Sequence, residues 1–246
     1  MYASASIVSQ ETQRPYRGRA TAITVGICYI VAAVTSVLAL YFYAPLLNTA
    51  DYLRQGAAHA NGVTLGVVME MILVVAAIGT AVGLFPFLRK YQESVALAYL
   101  CCRFMEAVLI TVGVVAMLAL LSLSQSFVAA SAPDLAAYQT AGVALIALHG
   151  WTFLLGPNFM LGINTTLYSS LLFRSRLVPR WLATLGIIAA ALVFLAAVLE
   201  LFGLIQQVSL WGGLLAAPIA VYEMTLAVWL IVRGFNPAAL ASATGR

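Results

Sequence analysis

Six apolar runs, each as long as the roughly twenty helical residues needed to cross a hydrocarbon core, divide this 246-residue chain. They lie at residues 20–44, 62–88, 94–124, 139–173, 180–204 and 208–233. No water is available inside a bilayer to pair with backbone N–H and C=O groups, so a spanning segment must be a helix or a strand of a closed barrel. Barrel strands are about 9–11 residues long and alternate in polarity; these runs are longer and continuous. The sequence therefore predicts an all-α integral membrane bundle of six transmembrane helices. With 63% hydrophobic and 8% charged residues, the chain has too little polar surface for a soluble enzyme, a disordered segment or a nucleic-acid binder. The expected partner is the lipid bilayer, and no nucleic acid is expected.

The first nineteen residues are polar, and the run that follows is too long for a signal-peptide core. It is expected to stay as an uncleaved first span, stopped by Pro45 because proline has no N–H to continue the ladder. Residues 20–235 then form one transmembrane domain between an N-terminal segment, 1–19, and a tail, 236–246. Basic residues set the orientation, since they resist translocation. Arg14, Arg17, Arg19, Arg89, Lys90, Arg174, Arg176, Arg180, Arg233 and Arg246 fall on one side, whereas Arg54 alone is on the other. Both termini are therefore expected in the cytoplasm. Tyr41, Phe42, Tyr43 and Trp211 read as an outer aromatic belt, and Phe87, Tyr91, Phe173, Trp181, Trp229 and Phe235 as an inner one.

Ionisable groups inside a span cost about 2.5–3.5 kcal/mol each at mid-helix on insertion scales, so they face the bundle interior and usually have a purpose. Glu70, Arg103, Glu106, His149 and Glu223 are such groups, while Glu200 lies near the outer end of span five and is expected to reach the interface. Arg103 and Glu106 are three residues apart and share a helical face. Three acids against one permanent cation leave an excess of carboxyl, so at least one is expected to be uncharged. In span four, Gly156-Pro157-Asn158 predicts a kink, with Asn158 and Asn164 to satisfy the freed backbone groups, or a break that widens the bundle into a cavity beside His149 with Asn158 on it. Glycines at four-residue spacing, Gly62/Gly66 and Gly79/Gly83, permit close helix contact.

No cofactor or metal is expected. Cys28, Cys101 and Cys102 lie inside spans without a Cys-x-x-Cys or Cys/His spacing, and there is no Glu-x-x-His pair of the di-iron type. A single-metal site would need Glu70, Glu106, His149 and Glu223 to converge. The leading functional expectation is binding or transport of a small or amphipathic ligand, including a lipid, in a pocket of Glu70, Arg103, Glu106, His149, Asn158 and Glu223. A second is an intramembrane enzyme acting on a lipid or isoprenoid through a carboxyl general acid, although no nucleophile or phosphate motif accompanies it. A third is a structural or accessory subunit whose polar residues only join helices and which purifies with a partner, as a homo-oligomer or with another membrane subunit.

Several segments carry a family likeness: Arg103-Phe104-Met105-Glu106, Phe153-Leu154-Leu155-Gly156-Pro157, Tyr222-Glu223, Leu230-Ile231-Val232-Arg233-Gly234-Phe235 and, most specific, Ser175-Arg176-Leu177-Val178-Pro179-Arg180-Trp181-Leu182. On these the chain resembles the bacterial membrane-protein family catalogued as domain of unknown function 4386. The resemblance implies a six-helix protein of a bacterial plasma membrane. It implies no activity and transfers no functional residue.

Overall fold

The computed structural model describes residues 15–207 and 209–242, all helical or in short connections with no strand among them. Its helices are α1 (Pro15–Leu47), α2 (Tyr52–Ala58), α3 (Ala60–Leu88), α4 (Glu93–Ala129), α5 (Leu135–Phe153), α6 (Leu161–Ser175), α7 (Arg180–Leu201), α8 (Leu210–Val232) and α9 (Pro237–Ser242). A π-helical turn, Leu154–Met160, joins α5 to α6 without interrupting the rod. Six helical rods, α1, α3, α4, α5–α6, α7 and α8, are long and apolar enough to cross a membrane. The protein is a multi-pass membrane protein.

The rods form a closed ring in chain order. α1 packs on α3, α3 on α4, α4 on α5–α6, α6 on α7, α7 on α8, and α8 returns to α1. Lipid is as apolar as leucine, so this ring is not held by a hydrophobic drive between helices; close backbone approach and polar contacts hold it instead. The outer surface shows the consequence, with Val37, Val115, Leu210 and Val232 all exposed. Between α3 and α1 the approach is close at Gly83, where a Cβ would stand 2.4 Å from Val25 Cγ2.

Local chemistry sets the helix ends. Asp134 accepts from the N–H groups of Ala136 and Ala137 at the start of α5, and Ser209 accepts from Gly212 N at the start of α8. The last carbonyls of α8 are met from another helix: Arg19 of α1 donates to Ile231 O at 2.7 Å and Val232 O at 3.1 Å. Pro45 does not end the first span as expected. It removes one N–H within the final turn, and α1 continues to Leu47, with Asn48 N still reaching Ala44 O at 2.9 Å. Proline so near the end frees only the carbonyl one turn back, which costs little there.

Two connections differ from simple loops. Between α1 and α3, α2 buries Tyr52, Leu53 and Gly56 against the end of the bundle, and Tyr52 Oη donates to Gln139 O at 3.1 Å. At the opposite end α9 folds back, tied by Tyr91 Oη to Ala239 O at 2.8 Å, so part of the expected tail is ordered helix. Arg19, Arg89, Lys90, Arg174, Arg176, Arg180 and Arg233 all sit at this α9 end, and Arg54 at the α2 end. Arg14 and Arg246 lie outside the described residues.

Candidate functional site

Four rods bring polar groups to the ring's axis. On α4, Arg103 Nη1 lies 3.2 Å and 3.0 Å from the two carboxylate oxygens of Glu106, both side chains buried. Arg103 Nε also donates to Ala77 O of α3 at 3.3 Å, which ties the guanidinium to the neighbouring rod. Asn164 Nδ2 of α6 donates to Glu106 Oε2. Glu223 of α8 stands within electrostatic reach of both Arg103 and Glu106. One guanidinium therefore faces two carboxyls. Arg103–Glu106 is the one ion pair among the described residues.

Tyrosines surround this group. Tyr29 of α1, Tyr99 of α4, Tyr168 of α6 and Tyr222 of α8 are each at most 1% exposed. Ring centroids are 5.1 Å apart for Tyr99 and Tyr168, 6.1 Å for Tyr168 and Tyr222, and 6.4 Å for Tyr29 and Tyr168. Tyr222 Oη shares a 2.9 Å hydrogen bond with Ser169 Oγ. Gly186 of α7 makes room for that pair, since a Cβ there would stand 2.4 Å from Tyr222 Cζ and 2.5 Å from Ser169 Oγ. Oε1 of Glu223 is buried without a hydrogen bond, and the hydroxyls of Tyr29, Tyr99 and Tyr168 have no partner in good geometry, although Tyr29 stands at hydrogen-bonding reach of Tyr99 and Tyr168, and Tyr99 of Thr80; away from them, His149 Nδ1 and Gln207 Nε2 are also unmet. Buried polar groups in folded proteins are nearly always paired with protein or ordered water. Four buried oxygens without a well-aligned partner thus gather around the one ion pair among the described residues.

The remaining expected residues lie elsewhere. Glu70 of α3 accepts a 2.9 Å hydrogen bond from Tyr43 Oη, and the His149 ring meets Tyr43 edge-on at 5.7 Å. Tyr43, expected in the outer aromatic belt, is fully buried instead because its hydroxyl finds this carboxyl. Phe235 of the expected inner belt also turns inward, stacked near Phe87 at 4.6 Å. Asn158 sits in the π-helical turn, which packs on α7, and donates to Glu200 Oε2 at 3.2 Å. Glu200 therefore does not reach out to the interface but is only 9% exposed. The six expected pocket residues fall into three places: Arg103, Glu106 and Glu223 on the axis, Glu70 with His149 nearer the α2 end, and Asn158 with Glu200. The four groups a metal would need do not converge, and among the described residues no three His, Cys, Asp or Glu side chains do.

From the sequence, Tyr29, Tyr99, Tyr168 and Ser169 carry no role, and Asn164 is assigned to the freed backbone of span four, whereas its amide meets Glu106. The tyrosines' signal was position: tyrosine favours the headgroup level, whereas Tyr29, Tyr99, Tyr168 and Tyr222 lie well inside spans.

A family model matches residues 24–234, a stretch that contains every residue of the axis cluster and of the Glu70–Tyr43–His149 group. The chain belongs to the family described as Domain of unknown function (DUF4386). The likeness read from the Arg103–Glu106, Tyr222-Glu223 and Ser175–Leu182 segments is thereby confirmed, and the family has no established activity. No curated protein and no solved structure matches the chain. For this member of DUF4386 the functional reading rests on its own residues.

Proposed function

We propose that this protein binds, and in binding carries, a small polar or amphipathic ligand at the axis cluster of Arg103, Glu106 and Glu223, with Tyr29, Tyr99, Tyr168 and Tyr222 as its rim. The single observation behind this reading is the set of four buried oxygens beside one ion pair that lack a well-aligned hydrogen-bond partner. A bundle held only by polar joints would close each donor on an acceptor, since an unmet buried polar group costs about 1–3 kcal/mol. Glu223 is the carboxyl that gains or loses a proton as the ligand arrives, because the guanidinium is already engaged by Glu106. Glu70 with His149, and Asn158 with Glu200, stand outside this site as contacts between helices.

The same proposal places one transmembrane domain, residues 20–235, in a bacterial plasma membrane with the arginine-rich α9 end and both termini in the cytoplasm. The supporting observation is the collection of seven described basic side chains at that end. To test the binding reading, the purified protein is screened for thermal stabilisation by a panel of amphipathic amines, carboxylates and isoprenoid alcohols. A compound that stabilises the natural chain and loses at least tenfold in affinity with Glu223→Gln and with Glu106→Gln is the expected result. Responses identical in all three proteins would remove the proposal.

A further inference from the structure

At the α9 end, an open recess of about 580 Å³ is lined by Arg176, Arg180, Arg233, Trp229, Asn236 and the α6–α7 turn. It continues along α8 into an apolar groove of about 460 Å³ formed by Met224, Val228 and Val232, with Trp229 and Arg233 common to both. We infer that this recess holds the phosphate headgroup of an anionic glycerophospholipid, one of whose acyl chains lies in the α8 groove.

Charge is the first support. The one described ion pair is elsewhere, so no described carboxylate neutralises the three guanidinium groups. Basic residues are required at this end by topology alone, but the fold uses others differently: Arg19 meets the α8 carbonyls and Arg174 donates to Gln92 Oε1 at 3.1 Å. Arg176, Arg180 and Arg233 instead share one concavity. Guanidinium groups match phosphate oxygens in a two-pronged geometry, and basic recesses at the membrane surface suit lipid headgroups.

Backbone conformation is the second. Arg176 has φ 57° and ψ 25°, the left-handed region, at the C-cap of α6. Glycine or asparagine is the usual residue at such a cap, so this arginine occupies a position where the fold itself favours a smaller residue. The recess is also preformed. Asn236 Nδ2 donates to Arg176 O at 3.2 Å and Asn236 N to Leu177 O at 2.9 Å, which fastens the segment before α9 beneath the turn. Arg180 is held over the Phe173 ring at 5.1 Å, at the first turn of the 22-residue α7, whose N-terminal N–H groups favour an anion.

The groove is the third. Val228 and Val232 are exposed where lipid tails lie, and Trp181 stands edge-on to Trp229 at 6.3 Å at the junction of recess and groove. A cationic pocket that opens directly onto an apolar channel fits a molecule with phosphate at one end and hydrocarbon at the other, and a free phosphate would leave the channel unused.

The test uses the full chain purified in a neutral detergent, with bound lipid followed by native mass spectrometry and by thermal stabilisation. Phosphatidylglycerol is expected to bind as one retained molecule, phosphatidylcholine at least tenfold more weakly, and inorganic phosphate at equal concentration to give no stabilisation. Arg176→Gly and Arg233→Gln should each weaken phosphatidylglycerol binding by roughly tenfold, the loss of one charge-assisted contact. Arg89→Gln, at the same end and with the same charge change, should alter it less than twofold. Arg176→Gly should also melt no lower than the natural chain without lipid, and Arg180→Gln repeats the measurement should another variant fail to fold. Unchanged binding in the recess variants, an equal loss in Arg89→Gln, or phosphate acting as well as the lipid would each overturn the inference.

Discussion

The axis cluster and the Glu70–Tyr43–His149 group are made of similar parts, carboxyls and tyrosine hydroxyls buried among apolar rods, yet they are finished differently. Near the α2 end one carboxyl takes one hydroxyl at 2.9 Å, with an imidazole ring packed against the same tyrosine and only the ring's Nδ1 without a hydrogen-bond partner. On the axis, four rods contribute four tyrosines and two carboxyls to one guanidinium, and four oxygens lack a well-aligned partner. The first arrangement is what joining two helices in lipid requires. The second exceeds it, and on the proposed reading that excess is what a binding site adds to a joint.

The comparison breaks most readily at Arg103. Arg103→Gln leaves Glu106 and Glu223 buried without their cation, and loss of about 3–5 kcal/mol is expected, measured as thermal unfolding in detergent. Arg103→Met combined with Glu106→Leu should recover most of that loss, because both charges then leave together; a double variant as unstable as Arg103→Gln would show that the ion pair is not the controlling feature. Next comes Gly186→Ala, which forces a methyl between Tyr222 and Ser169 and is expected to cost about 1–3 kcal/mol and to weaken ligand binding together with stability.

Smaller effects are expected at the other group. Tyr43→Phe removes one hydrogen bond and should cost about 1 kcal/mol, and Glu70→Gln, which keeps an acceptor for Tyr43, should cost less while leaving ligand affinity within a factor of two. A loss of affinity for Glu70→Gln as large as for Glu223→Gln would merge the two regions into one site. Smallest of all, exposed Arg54→Gln should change the melting free energy by no more than about 0.5 kcal/mol.

Much of the fold could be read before any coordinates, because lipid allows so few backbone solutions. Six spans follow from run length alone, and their ends differ from the helix ends by five residues or fewer, as at Ala129 of α4 and around Pro45. At Gly156-Pro157 the rod runs on through a π-helical turn, so the proline changes the helix type locally instead of breaking it. What could not be read was rotation. The rods carry apolar residues on every side, so little in the sequence says which face of α3 turns Glu70 toward Tyr43, or that His149 would join them and not Arg103. Arg103–Glu106 was legible because a three-residue spacing on one helix fixes a contact. Glu223 was recognised as an interior acid, but its company of tyrosines depends on four rods meeting, and that is a property of the ring.

The central claim is that the axis cluster is a place for a guest and the Tyr43–Glu70 contact is a closed joint. An experimental density map of the protein extracted from its own membrane tests this most directly. The account predicts non-protein density, water or ligand, within about 3 Å of Glu223 Oε1 and the hydroxyls of Tyr29, Tyr99 and Tyr168, and none between Tyr43 and Glu70. A dry axis in which those oxygens bond directly to one another would contradict it.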